Sequence, residues 1–281
     1  MTDASGTVGA WSPEAARAAD VGRVAGGRVR LPWWHWPHLL SLDAPAVAVA
    51  WGSLIAAWGG VELSAETRLT LAGIVWAVYL LDRLADQKRG QTGTLRHGFA
   101  ATHRRTLGVL LLFAVTLAIA FVASVPTPLH APGLALGCVI AAYLAIVHGA
   151  CRSMGRVRGL KEAVAGTCFA LGTSLPLWGA AVDVSADAVG IVALFSASCW
   201  WNCRLIDRWE GGPGFGRFET GALLVLALGG AVVATPPSLF AFASLGAWFV
   251  FLHVVITDRA RARALIDVGM AAVAAVWWAV P

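Results

Sequence analysis

The residues of this chain best suited to chemistry are acids at helical spacing. The apolar run Val75-Trp76-Ala77-Val78-Tyr79-Leu80-Leu81 ends in Asp82-Arg83-Leu84-Ala85-Asp86-Gln87-Lys88. A second run, Cys199-Trp200-Trp201-Asn202-Cys203, ends in Arg204-Leu205-Ile206-Asp207-Arg208-Trp209-Glu210. On a helix, Asp82 and Asp86 share one face, and so do Asp207 and Glu210. Acids so placed repel each other. They also stand at helix C-termini, where the macrodipole disfavours a carboxylate by roughly 0.3–1 kcal/mol. A cation must compensate. The candidates are a divalent metal such as Mg²⁺, which takes a few carboxylate oxygens together with substrate phosphate, or the neighbouring Arg83, Lys88, Arg204 and Arg208.

The elements that must position these acids are transmembrane helices. Of 281 residues, 58% are hydrophobic and 13% charged, and mean hydropathy is +0.71. An ordinary soluble domain carries roughly 25% charged residues. Hydropathy predicts an all-α polytopic bundle of about nine spans, at 39–60, 66–87, 105–125, 129–151, 160–181, 186–209, 218–235, 237–257 and 262–280. Residues 1–38 read as a cytoplasmic N-terminal tail without a cleavable signal, closing on the Trp-rich interfacial anchor Leu31-Pro32-Trp33-Trp34-His35-Trp36-Pro37-His38. Residues 39–281 form the transmembrane domain. Cys138, Cys151, Cys168, Cys199 and Cys203 are scattered through the spans with no CxxC pair and read as packing residues.

The net charge of +5 does not indicate nucleic acid, because the basic residues fall at span ends. Lys88, Arg89, Arg96, Arg104 and Arg105 follow span two; Arg152, Arg156, Arg158 and Lys161 follow span four; Arg208 and Arg217 follow span six; Arg259, Arg261 and Arg263 follow span eight. The alternate connections carry Glu62 and Asp183 but no Lys or Arg, and Arg68 lies just inside the next span. The positive-inside rule then predicts a bacterial-type inner or plasma membrane protein with its N-terminus and basic loops cytoplasmic. Asp82, Asp86, Asp207, Glu210, Asp258 and Asp267 converge on that cytoplasmic mouth, where a polar cleft is expected. The Asp-Arg pair ending spans two and six recurs at Asp258-Arg259, and the first two occurrences suggest two pseudo-equivalent halves.

Acidic helix ends beneath basic loops suit a diphosphate ester. Carboxylates hold Mg²⁺, the metal bridges diphosphate oxygens, and Arg or Lys offsets the remaining charge as the allylic C–O bond breaks. An isoprenoid tail would lie between helices. Trp76, Tyr79, Tyr143, Trp200 and Trp201 could offer π faces to an allylic cation, or simply pack.

With these features the chain resembles the UbiA superfamily of intramembrane prenyltransferases over roughly residues 39–281. That family's first motif reads N-D-x-x-D-x-x-x-D and its second D-x-x-x-D. Asp82 and Asp86 match the last two acids of the first motif, with Val78 and Tyr79 at its Asn-Asp lead-in. Asp207 matches the first acid of the second motif, and Gly211, preceded by Glu210, stands four residues on. The resemblance implies Asp82, Asp86 and Asp207 as catalytic acids, and these with Glu210 as Mg²⁺ ligands. It implies substrate contacts from Trp76, Tyr79, Arg83, Lys161, Arg204 and Arg208, a prenyl diphosphate substrate, and an aromatic or lipid acceptor.

An intramembrane terpene cyclase using the same ionisation without an acceptor is a second reading. A non-catalytic membrane protein or carrier, each acid paired with a neighbouring arginine such as Asp207 with Arg204, is a third. A CDP-alcohol phosphotransferase is disfavoured because its longer signature is absent. His97 and His103, with Arg96, Arg104 and Arg105, could cap a diphosphate or simply be solvated; His148 and His253 read as packing histidines. Lys161 and Glu162 open span five as a phosphate contact or a surface pair, and Gly211-Gly212-Pro213-Gly214-Phe215-Gly216 lacks the lysine of a P-loop.

Overall fold

Long apolar stretches with every backbone polar group bonded inside its own segment are what a bilayer selects, and the chain forms them throughout. The computed structural model describes residues 35–87, 95–148, 160–180, 185–209, 216–233, 236–256 and 259–279. Among these it is all-helical, with no strand. In chain order the helices are α1 (Trp36–Leu39), α2 (Asp43–Trp58), α3 (Ala65–Gln87), α4 (Leu95–Thr102), α5 (Arg104–Val122), α6 (His130–His148), α7 (Leu160–Ala180), α8 (Ala186–Trp209), α9 (Arg217–Val233), α10 (Pro236–Val254) and α11 (Arg259–Ala279), with a 3-10 turn (Thr127–Leu129) leading into α6.

Among the described residues, five segments are long and apolar enough to cross a membrane: Arg104–Val122, Thr127–His148, Ala186–Trp209, Pro236–Val254 and Arg261–Ala279. Asp43–Trp58 and Thr220–Val232 are shorter apolar helices. The protein is therefore a membrane protein. The tail to residue 34, with Trp33 and Trp34 of the expected anchor, lies outside the described residues.

Helix α2 is the hub, packing against α3, α7 and α11, while α3 lies along α5, and α8 lies between α7 and α9. Its Trp51 is fully buried, stacks on Phe195 of α8 and Phe242 of α10 at 4.8 and 5.1 Å between ring centres, and donates its indole N–H to the carbonyl of Met270 in α11 at 3.0 Å. One side chain thus ties four helices together. A second cluster joins Leu39, Leu80, Phe99, Ala100, Leu107 and Ala114. It explains why residues 95–102, expected as part of a basic loop, fold as α4: Phe99 and Ala100 are buried against this cluster, which fixes the turn between α3 and α5.

In lipid, apolar contacts alone give helices little reason to choose partners, and close packing at small residues decides. Gly166 of α7 lies so near α8 that a Cβ there would stand 2.7 Å from the Trp200 backbone nitrogen. At Gly73 of α3 the corresponding distance is 2.9 Å to the backbone of α5, at the Ala114 oxygen and the Ala118 nitrogen. Backbone cannot move aside as a side chain can. Gly166→Ala is therefore expected to destabilise by about 1–3 kcal/mol, read as a lower thermal unfolding temperature in detergent. Gly137→Ala, in α6 where nothing lies within 4 Å of the added methyl, should leave that temperature unchanged or raise it. Equal behaviour of the two variants would contradict the α7–α8 contact.

Candidate functional site

One end of the bundle gathers most of the ionisable side chains. Asp82 and Asp86, one turn apart near the end of α3, are joined by His148 from the last turn of α6: Nε2 lies 2.8 Å from Asp82 Oδ1 and Nδ1 lies 3.7 Å from Asp86 Oδ1. Asp82 keeps 42% of its side-chain surface exposed, Asp86 19% and His148 13%. The histidine, expected to be a packing residue, is the link between the two acids. On the same side, Tyr143 of α6 donates to the Lys161 carbonyl at 3.3 Å and is within electrostatic reach of Asp82 and Glu162. Lys161 is exposed, 4.0 Å from Glu162.

Asp207 is held differently. Arg204, one turn earlier on α8 and 3% exposed, donates from Nη1 to Asp207 Oδ2 at 2.7 Å. Arg208 is exposed, and Glu210 and Asp258 lie outside the described residues. Two pockets open beside α3, and neither lies between Asp82 and Asp207. One, of about 280 Å³, is lined by Leu81, Leu84, Ala85, Arg104 and Gly108, between α3 and α5. The other lies at the opposite end of α3. The inward cleft expected between these acids is not among them.

Arg83 and Trp76, expected to face substrate, reach back to the turn before α2. Arg83, buried, donates from Nη1 to the Leu39 carbonyl and from Nη2 to the His38 carbonyl, both at 2.5 Å. Trp76 Nε1 donates to the Leu40 carbonyl at 2.9 Å and its ring meets Phe113 edge-on. Tyr79 packs edge-on to Phe169, with Asp43 and Asp267 in electrostatic reach. Trp201 packs on Phe249, and the buried indole N–H of Trp200 has no hydrogen-bond partner. His103 precedes α5 without a side-chain capping bond, and its ring stacks on Phe99 at 4.2 Å. The side chain of His97 lies outside the described residues.

The turn held by Arg83 and Trp76 carries a buried polar cluster that residue spacing did not reveal. Arg263 of α11 donates from Nε to His38 Nε2 at 2.9 Å, and His38 Nδ1 lies 2.7 Å from Asp43 Oδ2. Asn202 of α8 donates from Nδ2 to Asp267 Oδ1 at 3.0 Å. Among the described residues, His38, Asp43 and Asp267 form the one three-residue group whose metal-binding atoms all lie within 4.8 Å of one another. Asp82, Asp86 and Asp207 do not form such a group. A metal reading of the buried cluster meets an obstacle in its hydrogen bonds. Arg263 has only protons to offer, so His38 Nε2 is the acceptor and its proton sits on Nδ1, aimed at Asp43. No imidazole lone pair remains for a cation.

Burial, and then the Arg263 guanidinium, push His38 down from the ordinary 6.5 to about 4. It is therefore neutral at physiological pH. Of the residues in this cluster, charge sorting had placed Arg263 and Asp267 at this end, and His38 had been read only as part of the interfacial anchor. The missing signal for His38 and Asp43 was their position: two ionisable groups bracketing the start of a span.

No family model, curated protein or solved structure matches the chain. Its functional reading rests on its own residues.

A histidine whose folded pKa lies below its unfolded value destabilises the fold as acid is added. Above about 6.5 both states are neutral. Below it the unfolded chain gains a proton that folded His38 refuses until about pH 4. Stability should fall between these limits by up to ~3 kcal/mol. Denaturant unfolding of wild type and His38→Gln across pH 4–7 tests this: the acid-side loss should shrink in the variant.

Proposed function

We propose that this protein is an integral-membrane enzyme that binds a prenyl diphosphate at the exposed acidic end of α3, ionises it, and passes the prenyl group to an acceptor. In this reading all nine helices of sixteen residues or more cross the bilayer, and the acidic end faces the cytoplasm. The observation that carries it is the pair Asp82 and Asp86, on one helix face and bridged by His148, with Lys161 exposed nearby at the start of α7. Paired carboxylates at an ionisable bundle end are costly and are retained for a cation or a substrate.

The fit to Mg²⁺ rests on donor type. Two carboxylates supply hard oxygens, and the imidazole orients them better than it would ligate so hard an ion. When bound, the metal would supply charge neutralisation of the departing diphosphate. Asp82 and Asp86 would hold it, Lys161 would meet a phosphate oxygen, and His148 would set the carboxylate orientation. Asp207 would join only by leaving Arg204.

That last contact supports the non-catalytic reading. A 2.7 Å pair between Arg204 and Asp207 within one helix is what a non-catalytic membrane protein with self-neutralised acids would contain. A terpene cyclase shares the ionisation step and differs in product.

The discriminating assay incubates purified protein with a panel of prenyl diphosphates and Mg²⁺, with and without acceptors, and scores diphosphate release. Asp82→Asn and Asp86→Asn should each lower release by about 100-fold or more without lowering the unfolding temperature. Full activity in both variants would reject Asp82 and Asp86 as the site, and no Mg²⁺-dependent release by wild type with any substrate would leave the ion-pair reading. A terpene alcohol or hydrocarbon formed without acceptor identifies a cyclase.

A further inference from the structure

The opposite end of α3 carries a charge that the acidic site does not explain. Arg68 stands in the first turns of α3, half-buried, with its Nε shielded from solvent and without a hydrogen-bond partner. It forms no ion pair with any described residue, and it is not among the residues engaged elsewhere. A partly desolvated guanidinium with no partner is unfavourable, and an anion relieves it.

Space for that anion exists. An open pocket of about 300 Å³ is lined by Ser53 and Ala57 from the end of α2, Glu62 and Leu63 from the connection, Arg68, and Trp278 from the last turn of α11. The N-terminal end of α3 lies beside it, with Ser64 Oγ accepting the Thr67 N–H at 3.2 Å, and the positive end of the helix dipole adds to the arginine. Trp278 is 57% exposed, as suits an indole at the headgroup level. Glu62 is exposed in the same pocket. Its carboxylate opposes a phosphate dianion and attracts an ammonium.

We propose that this pocket binds a zwitterionic phosphodiester headgroup of a bilayer lipid, with the phosphate on Arg68 and the ammonium on Glu62. The site is separate from the acidic end and does not depend on the activity proposed there. It lies at the end of α3 away from Asp82 and Asp86, on the membrane face that carries few cations.

The test is thermal unfolding of the full chain in a non-ionic detergent, titrated with short-chain phosphatidylethanolamine, phosphatidylglycerol or inorganic phosphate at constant ionic strength. Phosphatidylethanolamine should raise the wild-type unfolding temperature to a plateau, phosphatidylglycerol should do so more weakly, and inorganic phosphate should leave it unchanged. Arg68→Gln should abolish the rise, Arg68→Lys should keep part of it, and Glu62→Gln should make the two lipids equivalent. A rise that survives Arg68→Gln overturns the site. A shift reproduced by inorganic phosphate overturns the headgroup assignment in favour of a free anion, and equal response of wild type to both lipids overturns the role of Glu62. Should Arg68→Gln fail to fold, native mass spectrometry of wild type decides. Preferential retention of phosphatidylethanolamine over phosphatidylglycerol supports the proposal, and equal retention rejects it.

Discussion

The hydrogen-bonded line from Arg263 through His38 to Asp43, with Arg83 gripping the adjacent carbonyls of His38 and Leu39, closes one end of this bundle. Hydrocarbon offers no water to satisfy a stray donor, and apolar side chains gain little by leaving lipid for one another. Charge-assisted bonds of about 1.5–3 kcal/mol each therefore carry more of the burden of fixing helix positions than they would in a soluble core. The turn at Ser41, a buried residue in the left-handed backbone region with φ of 57°, is held in place by α3 and α11 together. Trp51 does the same deeper in the bundle, spending its indole donor on Met270 while its ring fills the space between α8 and α10.

This arrangement also explains why α3 matters at both ends. Its C-terminal half presents two faces, with Trp76, Leu80 and Arg83 along one and Asp82 and Asp86 on the other. Trp76 and Arg83 reach the α1–α2 turn, Leu80 packs in the satellite core, and Asp82 and Asp86 face α6. A helix turns 100° per residue, so residues 82 and 83 necessarily point apart. The Asp-Arg dipeptide that looked like one functional unit is thus divided between a site and a scaffold. On α8 the spacing differs: Arg204 precedes Asp207 by three residues, which places them together, and they pair.

Helix positions were readable from the sequence because span length and hydropathy act locally. The acids at the ends of α3 and α8 were readable for the same reason. His38 and Asp43 were not, since their partners lie on α11, 225 residues from His38 in the closest case, and no periodicity reports such a meeting. His148 was read as packing because a lone histidine at a helix end carries no local sign of its partners; only the approach of α6 to α3 gives it Asp82 and Asp86. The role of Phe99 in folding α4 depended likewise on a neighbour, Leu80 of α3, that hydropathy alone cannot assign.

The two acidic helix ends differ in a way that bears on any cation or anionic substrate. Asp207 is paired with an arginine of its own helix that is itself 3% exposed and 2.7 Å away, a contact that is costly to break. Asp82 and Asp86 have a histidine, whose hydrogen bond to a carboxylate can be exchanged for one to water or ligand at far smaller electrostatic cost. The two ends are therefore unequal: α3 supplies carboxylates that can change partners, and α8 supplies a fixed ion pair.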